Sequence, residues 1–577
     1  MFLQKISQAL INQKHYFVLL IYFALTVLIS YELTDSKSLP IFFSVFYDSE
    51  PDFLSNSVTK FLLGYPVETY HPSDLMFFIG SEVINFFKPE DIETFISYSR
   101  KSIFFLGVIL TIPLIIKHKL FQALIIIFLA FLSPEAMYLS SQVSPHWLSF
   151  FFMAYIIYFS RNVLENKKES IKDHLFLGIF SIFSLGIKHT FLIVVIPIYI
   201  LVIYKSFYKT EKNTRLLFIY LLLALFAFMY LIRSIFIAPI HLFINTAIFS
   251  HNTWIENYLI IIIGSLLIIY FFYILYKYRR FIRDHAPNIL LTYFKALAIV
   301  TILTMIFYYS NRIPYTNIFE SRHAFFFLPF LTVLIGDFDS KKFSSILLIL
   351  SFALIFIFQI GDMKKYSNFL FENRIESELI DNSFNKIVSK LEEKYGVGKD
   401  IAIFPTSAFV SEEYFPLWGG YRYGTRFESK LHNKIFLSDK NLHIFSITKF
   451  LRDRDIFKNK LIQRYLSVVS DFGDLIKPLK FASHLYEDNR GRDLCTQPFD
   501  GYQNKDFMVL QIKSNKKSTS NLWPDKYEYS INEFIEKFPK ECNMETTNLH
   551  HGKEDNLEYR FFQVFKKPMN DWGGVDK

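Results

Sequence analysis

The stretch DSEPDFLSNSVTKFLLGYPVETYHP, residues Asp48 to Pro72, decides how the rest of the chain is read. It follows the first long apolar run and sets Asp48, Glu50 and Asp52 at alternate positions. Residues at i, i+2 and i+4 share a face only on an extended backbone; on a helix only Asp48 and Asp52 would be neighbours. Close carboxylates either raise one another's pKa or hold a divalent cation, and both states serve a reaction centre. An acidic loop solvated at a membrane exit has the same composition. Pro51 suits the first turn of a helix. Leu54, Val58, Phe61 and Leu62 then fall on one face, opposite Ser55, Asn56, Thr59 and Lys60. His71-Pro72 breaks the pattern, and Leu75 to Phe87 is amphipathic again. Two such helices are expected to lie along a membrane surface.

Outward from that stretch, the 577 residues divide in two. With 52% hydrophobic residues and 68 Phe, the chain exceeds soluble proteins in apolar content, and the excess lies before residue 361. Candidate spans are Tyr16–Leu33, Ser102–Ile116, Leu120–Ser133, His146–Ser160, His174–Ile187, His189–Tyr204, Leu216–Phe236, Glu256–Tyr276, Ile289–Tyr308, Ala324–Gly336 and Phe343–Ile360. That is about eleven, each near the length a bilayer demands. The first has no small-residue cleavage site after it and reads as a retained anchor. Residues 361–577 read as a soluble α/β domain. An amphipathic helix over Ile375–Lys394 opens it, Lys460–Leu466 looks helical, and Asp400–Pro405, Phe507–Ile512 and Tyr559–Val564 are buried strands.

Charge sets the direction of insertion. With the N-terminus cytoplasmic, the inner segments hold Lys5, Lys14, Lys117, Lys119, Arg161, Lys167, Lys168, Lys172, Lys205, Lys209, Lys212, Arg215, Lys277, Arg279, Arg280, Arg283, Lys341 and Lys342. The short outer loops hold only Lys188, Arg312 and Arg322. This asymmetry supports a break between two spans at Lys188. It puts the outer loop 34–99 and the C-terminal domain outside the cytoplasm, in an inner or plasma membrane protein. The same alternation accounts for the net charge of +9 without a nucleic-acid partner. Cys495 and Cys542 then face an oxidising compartment and are expected to form a disulfide.

Glu50-Pro51-Asp52-Phe53-Leu54-Ser55-Asn56, Gly64 and His71-Pro72, with Pro405-Thr406-Ser407-Ala408-Phe409, Phe415-Pro416-Leu417 and Gly424-Thr425-Arg426-Phe427, resemble a bacterial branch of the C-class (GT-C) glycosyltransferases. These are integral membrane enzymes, with protein mannosyltransferases and aminoarabinose transferases among their members. Ser73 stands where that branch usually has Gly after His-Pro. The resemblance implies an inverting transfer from a polyprenyl-phosphate-linked sugar to a glycan, lipid or protein acceptor on the outer face. It also implies a base in the first outer loop, which Asp48 matches best, with Glu50 and Asp52 as alternatives. Such a base contributes about 10²–10⁴-fold in rate. Some members need a divalent ion, so Mg or Mn at Asp48, Glu50 and Asp52 is compatible with the reading, and no other cofactor is implied.

A departing lipid phosphate needs donors near the outer interface. The candidates are Arg322 and His323 at the tenth span, Lys188 and His189 at the sixth and Arg233 at the seventh. Of these Arg322, beside Glu320, is the strongest. His71 touches acceptor or phosphate, or serves as a hinge; His146 after Pro145 is weaker. Two other classes compete. A transporter or flippase of lipid-linked sugars would show internal repeats and broken helices with midplane charges, and the sequence has neither. A non-catalytic envelope-assembly scaffold would make the acidic loop incidental.

Overall fold

A computed structural model describes residues 19–32, 50–64, 73–90, 92–118, 120–165, 171–188, 191–206, 277–310 and most of 325–336 of the helical part. It also describes isolated positions between 220 and 273 and, in the C-terminal part, five strands and short helical pieces at 382–395 and 464–469. The expected spans Leu216–Phe236, Glu256–Tyr276 and Phe343–Ile360 lie wholly or largely outside these residues.

The helices are α1 (Leu19–Glu32), α2 (Glu50–Leu63), α3 (Asp74–Phe87), α4 (Ile92–Lys117), α5 (Leu120–Ile127) and α6 (Pro134–Ser140). They continue with α7 (Pro145–Glu165), α8 (Ile171–Ile187), α9 (Leu192–Ser206), α10 (Arg279–Ser310) and α11 (Leu331–Gly336). Three described helices, Thr94–Lys117, Pro145–Glu165 and Arg279–Leu303, are long and apolar enough to cross a membrane. Leu19–Glu32, Gln122–Leu132 and Leu192–Lys205 are apolar but shorter.

The α4–α7 seam organises the core. Phe104 stacks on Trp147 with ring centroids 5.6 Å apart and planes 5° apart. Gly107 lies directly beneath that indole, where a Cβ would stand 2.3 Å from the ring. Glycine is therefore a packing requirement at this crossing. Further along, the Tyr155 hydroxyl donates to Leu110 O at 2.6 Å, and the Lys117 ammonium lies 4.6 Å from the centre of the Phe159 ring. These contacts make α4 and α7 run in the same direction. After α5 the chain widens into a π-helix over Phe128–Leu132, and the Trp147 indole N–H donates to Ala130 O at 2.9 Å. A π-turn shifts carbonyls out of the i→i−4 ladder and so leaves an acceptor for a side chain. Ser133 then caps α6, accepting from Ala136 N at 3.1 Å, with Pro134 at the first helical position.

The expected break at Lys188 is present: α8 ends at Ile187 and α9 begins at Leu192. The Lys205 ammonium at the end of α9 reaches Val163 O and Leu164 O in the last turn of α7, so α9 returns antiparallel to α8. Those carbonyls have no helical partner, and a cation there also suits the helix dipole.

Two expectations are corrected. The second span was placed at Ser102–Ile116, but α4 begins at Ile92, so eight residues assigned to the outer loop, 92–99, belong to this helix. They pack against α3, with Phe87 and Tyr98 rings 5.1 Å apart, and a helix half covered by protein need not be uniformly apolar. The buried face of α2 is also rotated. Phe53, Leu54, Asn56, Ser57 and Val58 are buried, whereas Phe61 is 41% exposed. The partner of that face is α3. Phe53 and Phe77 rings lie 5.9 Å apart, and Gly80 sits so close to Ser57 that an added Cβ would stand 2.1 Å from its hydroxyl oxygen. Close backbone approach needs small residues, so Ser57 faces inward and its hydroxyl returns to Phe53 O at 2.6 Å.

The C-terminal strands β1 (Ile401–Pro405), β2 (Leu442–Ile444), β3 (Phe507–Ser514), β4 (Met544–Glu554) and β5 (Leu557–Lys566) form one sheet in the order β2-β1-β3-β5-β4. Strand β1 pairs parallel with β2 and β3, and β5 pairs antiparallel with β3 and β4. The three expected strands are β1, β3 and β5. A helical segment containing Ile387, Leu391 and Tyr395 covers the β4–β5 hairpin: Ile387 and Leu391 are buried, and the Tyr395 hydroxyl donates to Leu549 O at 2.9 Å.

Candidate functional site: a cationic cluster at the start of α7

Most sequence-selected residues lie outside the described residues: Asp48, His71, His189, Arg233, Arg322, His323, Cys495 and Cys542. Glu50 and Asp52 are in the first turn of α2. A helix turns about 100° per residue, so positions 50 and 52 stand on different sides of the axis. The shared extended face expected for these two positions is therefore absent. Among the described residues no group of three or more His, Cys, Asp or Glu could hold a metal ion.

Lys188 is the candidate whose surroundings are visible. Its backbone N–H bonds to Ser184 O at 2.8 Å, so it closes the last turn of α8. Its ammonium lies 3.1 Å from His146 Nδ1. An ammonium has only donors, so this contact assigns the lone pair to Nδ1 and the imidazole proton to Nε2. His146 is buried. It is the second residue of α7, and its backbone N–H donates to Ser144 Oγ at 3.3 Å. Ser144 thus serves as the cap and Pro145 as the first helical residue. Lys188 and the weaker candidate His146 stand apart in the sequence; the α7–α8 hairpin makes them one pair.

The segment that follows the acidic stretch reaches the same place. Ser73, immediately before α3, is buried and donates through its hydroxyl to Ile187 O at 2.8 Å. Ile187 is the last residue of α8, and its carbonyl has no helical partner of its own. This bond fixes the start of α3 next to Lys188.

A second cation was missed from sequence. Arg100 is only 2% exposed and is among the largest fully buried side chains described. Positions 100, 104, 107 and 111 follow helical spacing along one face of α4, and Phe104 and Gly107 on that face meet Trp147. Arg100 therefore continues the α4–α7 seam one turn, about 5 Å, past Trp147 toward the start of α4. This is the end of the bundle where α7 begins and where His146 and Lys188 lie. The neighbouring Ser99 hydroxyl is buried without a hydrogen-bond partner. The helical spacing through residue 100 is visible in the sequence, but spacing does not show that an arginine is buried.

Burying a guanidinium costs several kcal/mol unless charge and hydrogen bonds compensate it. The Lys188 ammonium, the His146 imidazole N–H and the buried Arg100 guanidinium lie toward the same end of the bundle. Such a set suits an oxyanion, with arginine supplying a planar bidentate contact and lysine a point charge. The sequence matches no known family model and no curated protein.

Proposed function

We propose that the chain is a membrane glycosyltransferase that moves a sugar from a polyprenyl-phosphate carrier to a glycan, lipid or protein acceptor on the extracytoplasmic face. The observation that carries this reading is the Lys188–His146 pair at the end of the bundle where Ser73 ties down the segment following the acidic stretch. The finer architecture proposed with it is of about eleven spans, a cytoplasmic N-terminus and an extracytoplasmic domain over 361–577.

In this reading a loop carboxylate, Asp48 first and then Glu50 or Asp52, accepts the proton of the acceptor O–H or N–H. The freed electron pair attacks the anomeric carbon on the side opposite the phosphate. The carbon–oxygen bond to phosphate breaks, its electron pair leaves on the polyprenyl phosphate, and the anomeric configuration inverts. Arg100 and Lys188 offset the charge that grows on the departing oxygen, which is where fixed donors lower the barrier most. Arg322, His323, His189, Arg233 and His71 remain further candidates for that role. Mg or Mn, if held by Asp48, Glu50 and Asp52, would add charge stabilisation to the same phosphate, and no step depends on it.

Asp48→Asn is expected to abolish transfer of a radiolabelled sugar in isolated membranes while the protein stays at wild-type abundance. Full transfer by Asp48→Asn, Glu50→Gln and Asp52→Asn, each made singly, would remove the base from this stretch, and no transfer by the wild type would sink the enzyme reading.

A further inference from the structure

The chain leading into and opening α10 carries four cations, Lys277, Arg279, Arg280 and Arg283, and one carboxylate, Asp284, within eight residues. The apolar window Arg279–Leu303 begins inside this segment. Helix physics argues against the arrangement. The first turn of a helix is the positive end of its dipole, where acidic residues stabilise and cations oppose, yet Arg279 and Arg280 open α10. Arg283 is engaged by Asp284 at 2.8 Å. Lys277 and Arg280 are exposed, and neither pairs with a carboxylate among the described residues.

The rings beside them point to a medium other than bulk water. Tyr273 and Phe281 are each 55% exposed and Tyr278 is 49% exposed. Lys277 lies between two of them, 5.8 Å from the Tyr273 ring and 5.6 Å from the Tyr278 ring. Phe281 stacks on His285 with centroids 4.3 Å apart, so its ring is held outward from the helix. Exposed aromatics together with long cationic side chains at the end of a span are the composition of a headgroup-level anchor.

We propose that Lys277 and Arg280, flanked by Tyr278 and Phe281, form a binding surface for the phosphate of an anionic glycerophospholipid. The lipid supplies the negative charge that the helix start lacks, and the aromatic rings lie at the level of its glycerol backbone. Each cation at such a surface is worth about 1 kcal/mol. Removing both therefore weakens anionic-lipid binding about thirtyfold. This surface is independent of the transfer site and of the chemistry proposed there.

Native mass spectrometry of the full-length protein, released from detergent micelles doped with phosphatidylglycerol or phosphatidylcholine, tests the proposal. The wild type is expected to retain phosphatidylglycerol in preference to phosphatidylcholine. Lys277→Gln/Arg280→Gln should lose that preference, whereas Lys341→Gln/Lys342→Gln, which removes the same charge elsewhere, should keep it. Equal retention of both lipids by the wild type would overturn the proposal and leave these cations as an insertion signal only. So would undiminished preference in the Lys277/Arg280 variant. If that variant does not fold, the wild type alone decides: raising the salt from about 0.05 to 0.5 M should reduce phosphatidylglycerol retention severalfold, and salt-insensitive retention overturns the surface.

Discussion

The two ends of the α7–α8 hairpin use cations in opposite ways. At the end where α7 finishes, three described cations have a local structural task. Lys117 lies over the Tyr158, Phe159 and Phe176 rings at 5.1, 4.6 and 5.8 Å. Arg161 pairs with Glu165 one turn on at 2.8 Å, and Lys205 caps the last carbonyls of α7. At the end where α7 begins, Lys188 meets an imidazole and Arg100 is buried within the seam. A cation set over rings or on helix carbonyls anchors the bundle. A cation beside a buried imidazole is placed differently, next to a nitrogen that accepts its hydrogen bond. The hairpin thus has anchoring cations at one end and the Lys188–His146 pair at the other.

The largest effect should break this contrast outright. Lys188→Gln is expected to lower transfer about 10²–10³-fold, the cost of losing one donor to a developing oxyanion. Lys205→Gln, the matched change at the other end, should alter it less than threefold. Sugar transfer normalised to protein in isolated membranes measures both, and equal losses would dissolve the distinction.

Next in size are the crossings that hold the ends in place. Gly107→Leu drives a side chain into Trp147, from which even a Cβ would be 2.3 Å away. Overpacking of this kind costs about 1–3 kcal/mol or more, seen as a lower melting temperature in detergent by tryptophan fluorescence. Gly80→Ala should behave similarly at the α2–α3 crossing, where Ser57 is the obstacle. Because Ser73 ties α3 to α8, it should also reduce transfer, whereas a mutation of anchoring residues alone should not. Lys117→Met removes an exposed cation–π contact and should cost only about 0.5–1 kcal/mol with transfer retained.

The smallest effect concerns the C-terminal hairpin and serves as a reference outside the bundle. Burial, with Lys394, His551 and Lys390 nearby, holds His550 below the ordinary histidine value of 6.5. A lowered value means that the unfolded chain binds the proton more readily. Its contribution to stability is therefore complete above 6.5 and is lost as pH falls from there through the folded value. Hydrogen exchange of β4 and β5, corrected for intrinsic rates, should show weaker protection at pH 5.5 than at 7.5, and His550→Gln should flatten that dependence. Unchanged protection would exclude His550 as the cause.

Much of the helical layout is legible in the sequence because a bilayer imposes length and hydrophobicity on each helix separately. The break at Lys188, the amphipathic pair α2 and α3, and strands β1, β3 and β5 all follow from local pattern. Strand β4 does not: METTNLHHGKE lies at the sheet edge, paired on one side to β5, and an edge position needs no alternation of apolar residues. The early start of α4 was hidden for a related reason, since contact with α3 takes over a role that lipid would otherwise demand of apolar side chains.

The acidic stretch remains the reason to look for transfer chemistry, and sequence alone supplied it. Composition, periodicity and charge bias act over a few residues at a time, so they fixed where helices run and which ends carry cations. Only the tertiary structure decided that Lys188 meets His146 across 42 residues, that Ser73 binds Ile187 O across 114, and that Arg100 is buried. Those outcomes depend on which face each helix turns to its neighbours. That choice is made by packing around Gly80, Gly107 and Trp147, where the shape of one helix is read by another.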